Sequence, residues 1–243
     1  MKKVLFTAAL FSACTFVMAQ EAPSTPSTPS TTSDYKPAAG ANNLELNFTP
    51  LGNSPISITN IRYRRFLTET TALRLGVGVS IMSSSVEEVL PSNLTPGTFI
   101  TGQKAKTSTF GWNIKPGYEK HFKGTNRLSP YIGGELDLAS QMSKSVSHTI
   151  AANDVITETI VRNAGKNGFF RFGVNALAGF DCYLTKHLYL GAEMGFGLST
   201  VLYSKVKTSS SPAPASPVRD VDQGNTFNLG PNFNSAIRLG FIF

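Results

Sequence analysis

The sequence predicts an all-β fold of eight antiparallel strands wound into one up-and-down barrel, and three features carry that prediction. Long segments alternate apolar and polar residues with a period of two, which sends successive side chains to opposite faces of a strand. The connections between the segments alternate short and long. The segments are even in number, which returns both ends of a barrel to the same rim.

The first predicted strand covers about 43–50, with Leu44, Leu46 and Phe48 on one face and Glu45, Asn47 and Thr49 on the other. The second covers about 56–66. Its phase changes between Ile56/Ile58 and Ile61/Tyr63, and a β-bulge near Asn60 reconciles the two parities. The third, 72–83, sets Leu73, Leu75, Val77, Val79 and Ile81 against Arg74, Gly76, Gly78 and Ser80. The fourth, 105–119, puts Phe110, Trp112, Ile114 and Tyr118 opposite Gly111, Asn113, Lys115 and Glu119. In the fifth, 128–143, Leu128, Ile132, Leu136, Leu138 and Met142 oppose Tyr131, Gly133, Glu135, Asp137 and Gln141. The sixth, 168–183, opposes Phe170, Phe172, Val174 and Phe180 to Arg171, Gly173, Asn175 and Asp181. The seventh, 187–203, opposes Leu188, Leu190, Met194, Phe196 and Leu198 to Tyr189, Gly191, Glu193, Gly195 and Gly197. The eighth, Thr226 to Phe243, has Phe227, Leu229, Phe233, Ile237, Leu239 and Phe241 against Asn228, Asn232, Asn234 and Arg238. The stretches 84–104, 144–167 and 204–224 are read as long polar loops.

Two segments precede the barrel domain, 42–243. Residues 1–19 read as a signal peptide: Met1-Lys2-Lys3, an apolar stretch, then Val17-Met18-Ala19 before Gln20. Phe11-Ser12-Ala13-Cys14 loosely matches a lipidation box, with Phe in place of the usual Leu and apolar residues after the cysteine counting against it. Residues 20–41 are rich in Pro, Ser and Thr and read as a disordered tail, since such a segment cannot bury a core. Removal of the signal leaves Cys182 alone, so no internal disulfide is available.

The polar faces decide which side of the barrel is wet. They are Gly, Ser, Asn and Ala rich, which suits a narrow interior, whereas a soluble barrel carries dense Lys and Glu outside. Aromatic residues gather towards both ends of the apolar faces: Phe110, Phe170 and Phe227 at one, Tyr63, Tyr118, Phe241 and Phe243 at the other. The barrel therefore faces lipid. The net charge of +7 is scattered, with no basic run interleaved with aromatics, and this excludes nucleic acid as a partner.

With these residues in place, the chain over 42–243 resembles the small eight-stranded outer-membrane barrels of the OmpA-transmembrane and OmpX type, within the outer-membrane β-barrel domain family. Ile237, Leu239, Phe241 and Phe243 resemble the C-terminal signal read by the barrel assembly machinery. The resemblance implies a home among outer-membrane lipids, reached by export, with both barrel termini periplasmic. It leaves the activity open, because the fold hosts adhesins, structural proteins, narrow pores and a few lipid enzymes.

By parity the lumen receives Glu45, Glu119, Glu135, Asp137, Asp181 and Glu193 together with Arg62, Arg64, Arg74, Lys115, Arg171 and Arg238. Charges in a narrow interior are costly unless paired. A plug is expected in which Glu135, Asp137 and Glu193 face Arg171 and Arg238; the competing reading is a narrow, gated ion path. Catalysis is not expected. His121 and His187 fall at inner turns, and His148, beside Ser147 in an outer loop, has no fixed acid in view. No metal spacing and no cofactor motif occurs. The expected role is thus non-enzymatic: structural, or contact with an extracellular ligand through the long loops, with a small gated pore or transport component as the alternative.

Overall fold

The computed structural model describes residues 35–48, 56–92, 94–95, 97–150, 154–211, 220–233 and 237–243. The signal segment 1–19 and the tail as far as residue 34 lie outside the described residues. Eleven strands form one antiparallel sheet: β1 (Asn42–Phe48), β2 (Ile56–Thr68), β3 (Thr71–Pro91), β4 (Phe99–His121), β5 (Leu128–Ile150), β6 (Ile156–Arg162), β7 (Phe169–Tyr183), β8 (Leu188–Tyr203), β9 (Lys207–Ser211), β10 (Asn225–Phe233) and β11 (Ile237–Ile242). The pairings β1–β2, β2–β3, β3–β4, β4–β5, β5–β7, β7–β8, β8–β11 and β11–β1 make a closed circuit.

The remaining strands continue members of that circuit. β6 pairs with the upper part of β5, above the part that β7 pairs with, and β9 pairs with β6 as β8 does with β7. β10 lies on β8 above the residues that β11 occupies. Eight strands thus make the closed circuit, and three further segments, β6, β9 and β10, bring the sheet to eleven. The break between β6 and β7 is made by Asn163 to Gly168, where Asn163, Gly165 and Lys166 all have positive φ (59°, 62° and 62°).

The three stretches expected as loops are also corrected, because most of the first two and a short part of the third are strand. β3 runs to Pro91 and β4 starts at Phe99, β5 runs to Ile150 with β6 after it, and β9 lies within 204–224. Neither face of these extensions is buried deeply enough to select apolar residues, so hydropathy does not alternate there. The backbone ladder nevertheless continues, from Ser83↔Ser108 up to Pro91↔Phe99. The bulge expected near Asn60 falls within a register slip, where Leu46 opposes Ile61 but Asn47 opposes Ser57.

Residues 35–41 depart from the tail reading. Tyr35 and Ala41 pack against a cluster of Tyr183, Tyr189 and Ile242. The Arg127 guanidinium lies 4.4 Å from the centre of the Tyr35 ring, and the Gly40 amide donates to the Phe66 carbonyl at 2.8 Å. A Pro/Ser/Thr-rich composition does not describe this short piece, whose Tyr and Ala have an apolar surface to meet.

The two faces separate as the alternation predicts. Leu73, Leu75, Val77, Val79 and Ile81 on β3 are exposed, as are Phe110, Ile114, Tyr118, Ile132, Leu136, Phe170, Phe172, Val174, Phe196, Leu198, Phe227, Leu229 and Phe241. Arg64, Arg74, Glu45, Glu119, Glu135, Asp137, Asp181 and Arg238 are buried. An apolar outside around a charged inside is the reverse of a water-soluble domain.

Candidate functional site

Every strand of the closed circuit contributes a charged side chain to one interior layer: Glu45 (β1), Arg64 (β2), Arg74 (β3), Glu119 (β4), Glu135 (β5), Asp181 (β7), Glu193 (β8) and Arg238 (β11). Arg64 is the hub, at 0% exposure. It meets Glu45 at 2.5 Å, Glu119 at 2.8 Å and Asp181 at 2.8 Å, so one side chain ties together three strands around the circuit. Arg74 meets Glu119 at 2.8 Å, Glu135 at 3.0 Å and Glu193 at 2.7 Å. Arg238 meets Glu45 at 3.0 Å and Asp181 at 3.3 Å. Arg62, at the edge of the layer, reaches Glu45 and Glu193.

Two tyrosines relay hydrogen bonds within it. Arg64 donates to the Tyr189 hydroxyl at 2.6 Å, which donates to Glu45 at 2.7 Å. Arg238 donates to the Tyr131 hydroxyl at 2.6 Å, which donates to Glu193 at 2.6 Å. The Arg64 guanidinium also lies 5.1 Å from the centre of the Tyr189 ring, and that of Arg238 5.6 Å from Tyr131. A buried guanidinium is tolerable when its fork and face are both occupied in this way.

Small residues make room for these side chains. A Cβ on Gly191 would come within 2.6 Å of the Arg238 guanidinium and 2.8 Å of the Asp181 carboxylate, and a Cβ on Gly240 would run into the Tyr189 ring. The glycines of the interior face are thus clearance for the charged layer.

The expected plug is corrected in its membership. Glu135, Glu193 and Arg238 belong to the layer. Asp137 and Arg171 instead pair with each other at 2.9 Å, and Arg171 is a third exposed. Lys115 forms no ion pair among the described residues; it lines a cavity of about 260 Å³ with Arg62, Asn113, Glu135 and Glu193. The centre of the layer was not singled out by sequence, because the β1–β2 register slip blurs the phase of β2 and with it the place of Arg64. Asn228, assigned to a packed interior, is exposed.

Two histidines are also placed differently from expectation. His121 is the last residue of β4 and is buried. Its Nδ1 lies 2.9 Å from Ser129 Oγ, and its Nε2 lies 3.3 Å from Glu119 Oε2. His148, in the upper part of β5, has two acids beside it: Glu88 at 3.0 Å from Nδ1 and Glu158 at 3.7 Å from Nε2. The acids flank opposite ring nitrogens.

The C-terminal group Ile237, Leu239, Phe241 and Phe243 closes the circuit. β11 pairs with β1 from Phe48↔Ile237 to Asn43↔Ile242, and with β8 from Arg238↔Gly191 to Phe241↔Leu188. Phe241 and Phe243 point outward and stack at 6.4 Å between ring centres.

No curated protein matches the chain. Among solved structures, the crystal structure of the N-terminal β-barrel domain of Pseudomonas aeruginosa OprF matches at 14% identity, covering 85% of this chain and 100% of that one, with a TM-score of 0.35. A match to the family described as "Putative OmpA-OmpF-like porin family" extends over residues 47–243, nearly the whole of the sheet. The chain belongs to this family of outer-membrane β-barrel proteins.

Proposed function

We propose that the protein is a non-enzymatic integral barrel of the outer membrane, with eight staves in its wall and its lumen plugged by the charged layer. It is exported by its signal segment 1–19 and assembled through Ile237, Leu239, Phe241 and Phe243 by the barrel assembly machinery, with both barrel termini periplasmic. It meets its surroundings through the sheet that β3, β4, β5, β6 and β9 raise beyond the apolar band. The observation that carries this reading is the layer itself: eight strands each supply a charged group to one cross-section, while the outward positions at the same level are apolar.

A plugged barrel conducts poorly. Purified protein in a planar bilayer is expected to give a flat current, while its gel mobility shifts on heating as a compact β form unfolds. Steady, reproducible single-channel steps would reject the plug and favour the second reading, a small gated pore. The cavity bordering the layer, with Lys115 on its wall and in no ion pair among the described residues, is the observation that supports that alternative.

A further inference from the structure

On the outward face Ile81, Phe110 and Met142 stand side by side on β3, β4 and β5 as an apolar row, and a further apolar pair, Val146 and Ile160, lies two residues beyond Lys144 and Arg162 on the same face. One step higher, on the same face, the row reads Ser83, Ser108, Lys144, Arg162 and Lys207, each directly opposite the next across neighbouring strands. Three cations in direct cross-strand register repel one another. They are exposed, and among the described residues none forms an ion pair. Ser83 and Ser108 share a hydrogen bond at 3.2 Å. A groove of about 400 Å³ joins the two rows, with Ile81, Phe110 and Met142 along its apolar part and Lys144, Arg162 and Asn163 along its polar part.

We infer that this groove holds a lipid of the outer leaflet that carries phosphate on its headgroup. The acyl chain lies along Ile81, Phe110 and Met142, and the phosphate sits on Lys144, Arg162 and Lys207. Charge complementarity selects the occupant: only an anion relieves the repulsion in the row, and only an anion attached to a hydrocarbon chain uses the apolar floor directly below it. Arginine is suited to the site because its fork binds a phosphate through two parallel hydrogen bonds. Cations elsewhere on the outer extension do not combine these two features. Lys106 is diagonal to Lys144 on the same face and lies one step farther from the apolar row.

The inference rests on the proposed orientation, with the upper sheet outside, and its test separates the two. The full chain is folded in a zwitterionic detergent, and folding is verified by the heat-dependent gel shift. Diphosphoryl lipid A or its dephosphorylated counterpart is then added, and retained lipid is counted by native mass spectrometry. The diphosphoryl form is expected to be retained. Each of Lys144→Gln, Arg162→Gln and Lys207→Gln should weaken retention about fivefold, and the triple variant roughly a hundredfold. Lys123→Gln, at the other end of the barrel, should change nothing. Equal retention of the dephosphorylated lipid, or full retention by the triple variant, overturns the inference. So does inorganic phosphate binding as well as the lipid, which would make the row a plain anion site. A chain that never shows the heat-dependent form would instead reject the barrel reading.

Discussion

Replacing Arg64 with alanine is expected to lower the stability of the inserted protein by about 3–5 kcal/mol, the usual cost of removing one partner from a buried ionic network. The substitution leaves Glu45, Glu119 and Asp181 facing one another in a space closed to water, and removes the shorter of two hydrogen bonds donated to the Tyr189 hydroxyl. Arg64→Lys should recover little. An ammonium is a single compact charge and cannot present separate nitrogens to three carboxylates and an aromatic face. Arg171→Ala, which breaks a partly exposed pair with Asp137, should cost about 0–1 kcal/mol. Urea titration in vesicles, followed by the fluorescence of the single tryptophan, measures all three. Equal losses for Arg64→Ala and Arg171→Ala would mean that the layer is not what holds the lower half of the barrel together.

The contrast between those two arginines also shows how far the sequence could be read. Alternation assigns a face, so the inward placement of Glu45, Glu119, Glu135, Asp181, Arg74 and Arg238 was legible. It does not assign height. Height depends on the stagger between strands, which is set by turns and bulges, and a long guanidinium blurs it further by reaching across the interior. Hence Asp137 and Arg171 looked like members of the plug, and Arg64 did not look like its centre. The β1–β2 slip between Leu46 and Asn47 is the specific cause for Arg64.

The outer extensions were illegible for a different reason. The stretch from Ser83 to Glu88 has no buried face, so nothing in its hydropathy distinguishes a strand from a loop, although it is laddered residue by residue to Ser108 through Gln103. The cation row was hidden in the same way. Lys144, Arg162 and Lys207 are far apart in sequence, each unremarkable, and only the β5–β6–β9 pairing sets them side by side.

The largest effect is expected at the C-terminal strand. Deleting Phe241–Phe243 should abolish assembly, because those residues complete hydrogen bonding on both sides of the closure. The Ile242 amide donates to the His187 carbonyl at 2.8 Å, and the Phe243 amide to the Asn42 carbonyl at 2.9 Å. Ile242 also packs with Tyr183 and Tyr189 beneath the charged layer. Without them the wall has an open edge, and unpaired backbone groups are not sustained in lipid. Deleting 212–219, by contrast, should leave assembly intact, since the circuit is closed by pairings among other residues. The double variant Phe241→Ala, Phe243→Ala separates closure from recognition. Both rings are outward, at 51% and 62% exposure, and their backbone pairing does not need them. That variant should therefore fold into vesicles on its own yet accumulate poorly in the outer membrane of cells, if the assembly machinery reads the aromatic side chains. Near-normal accumulation would confine the role of the strand to closing the wall, and failure to fold in vesicles would show that the outward rings stabilise the barrel directly.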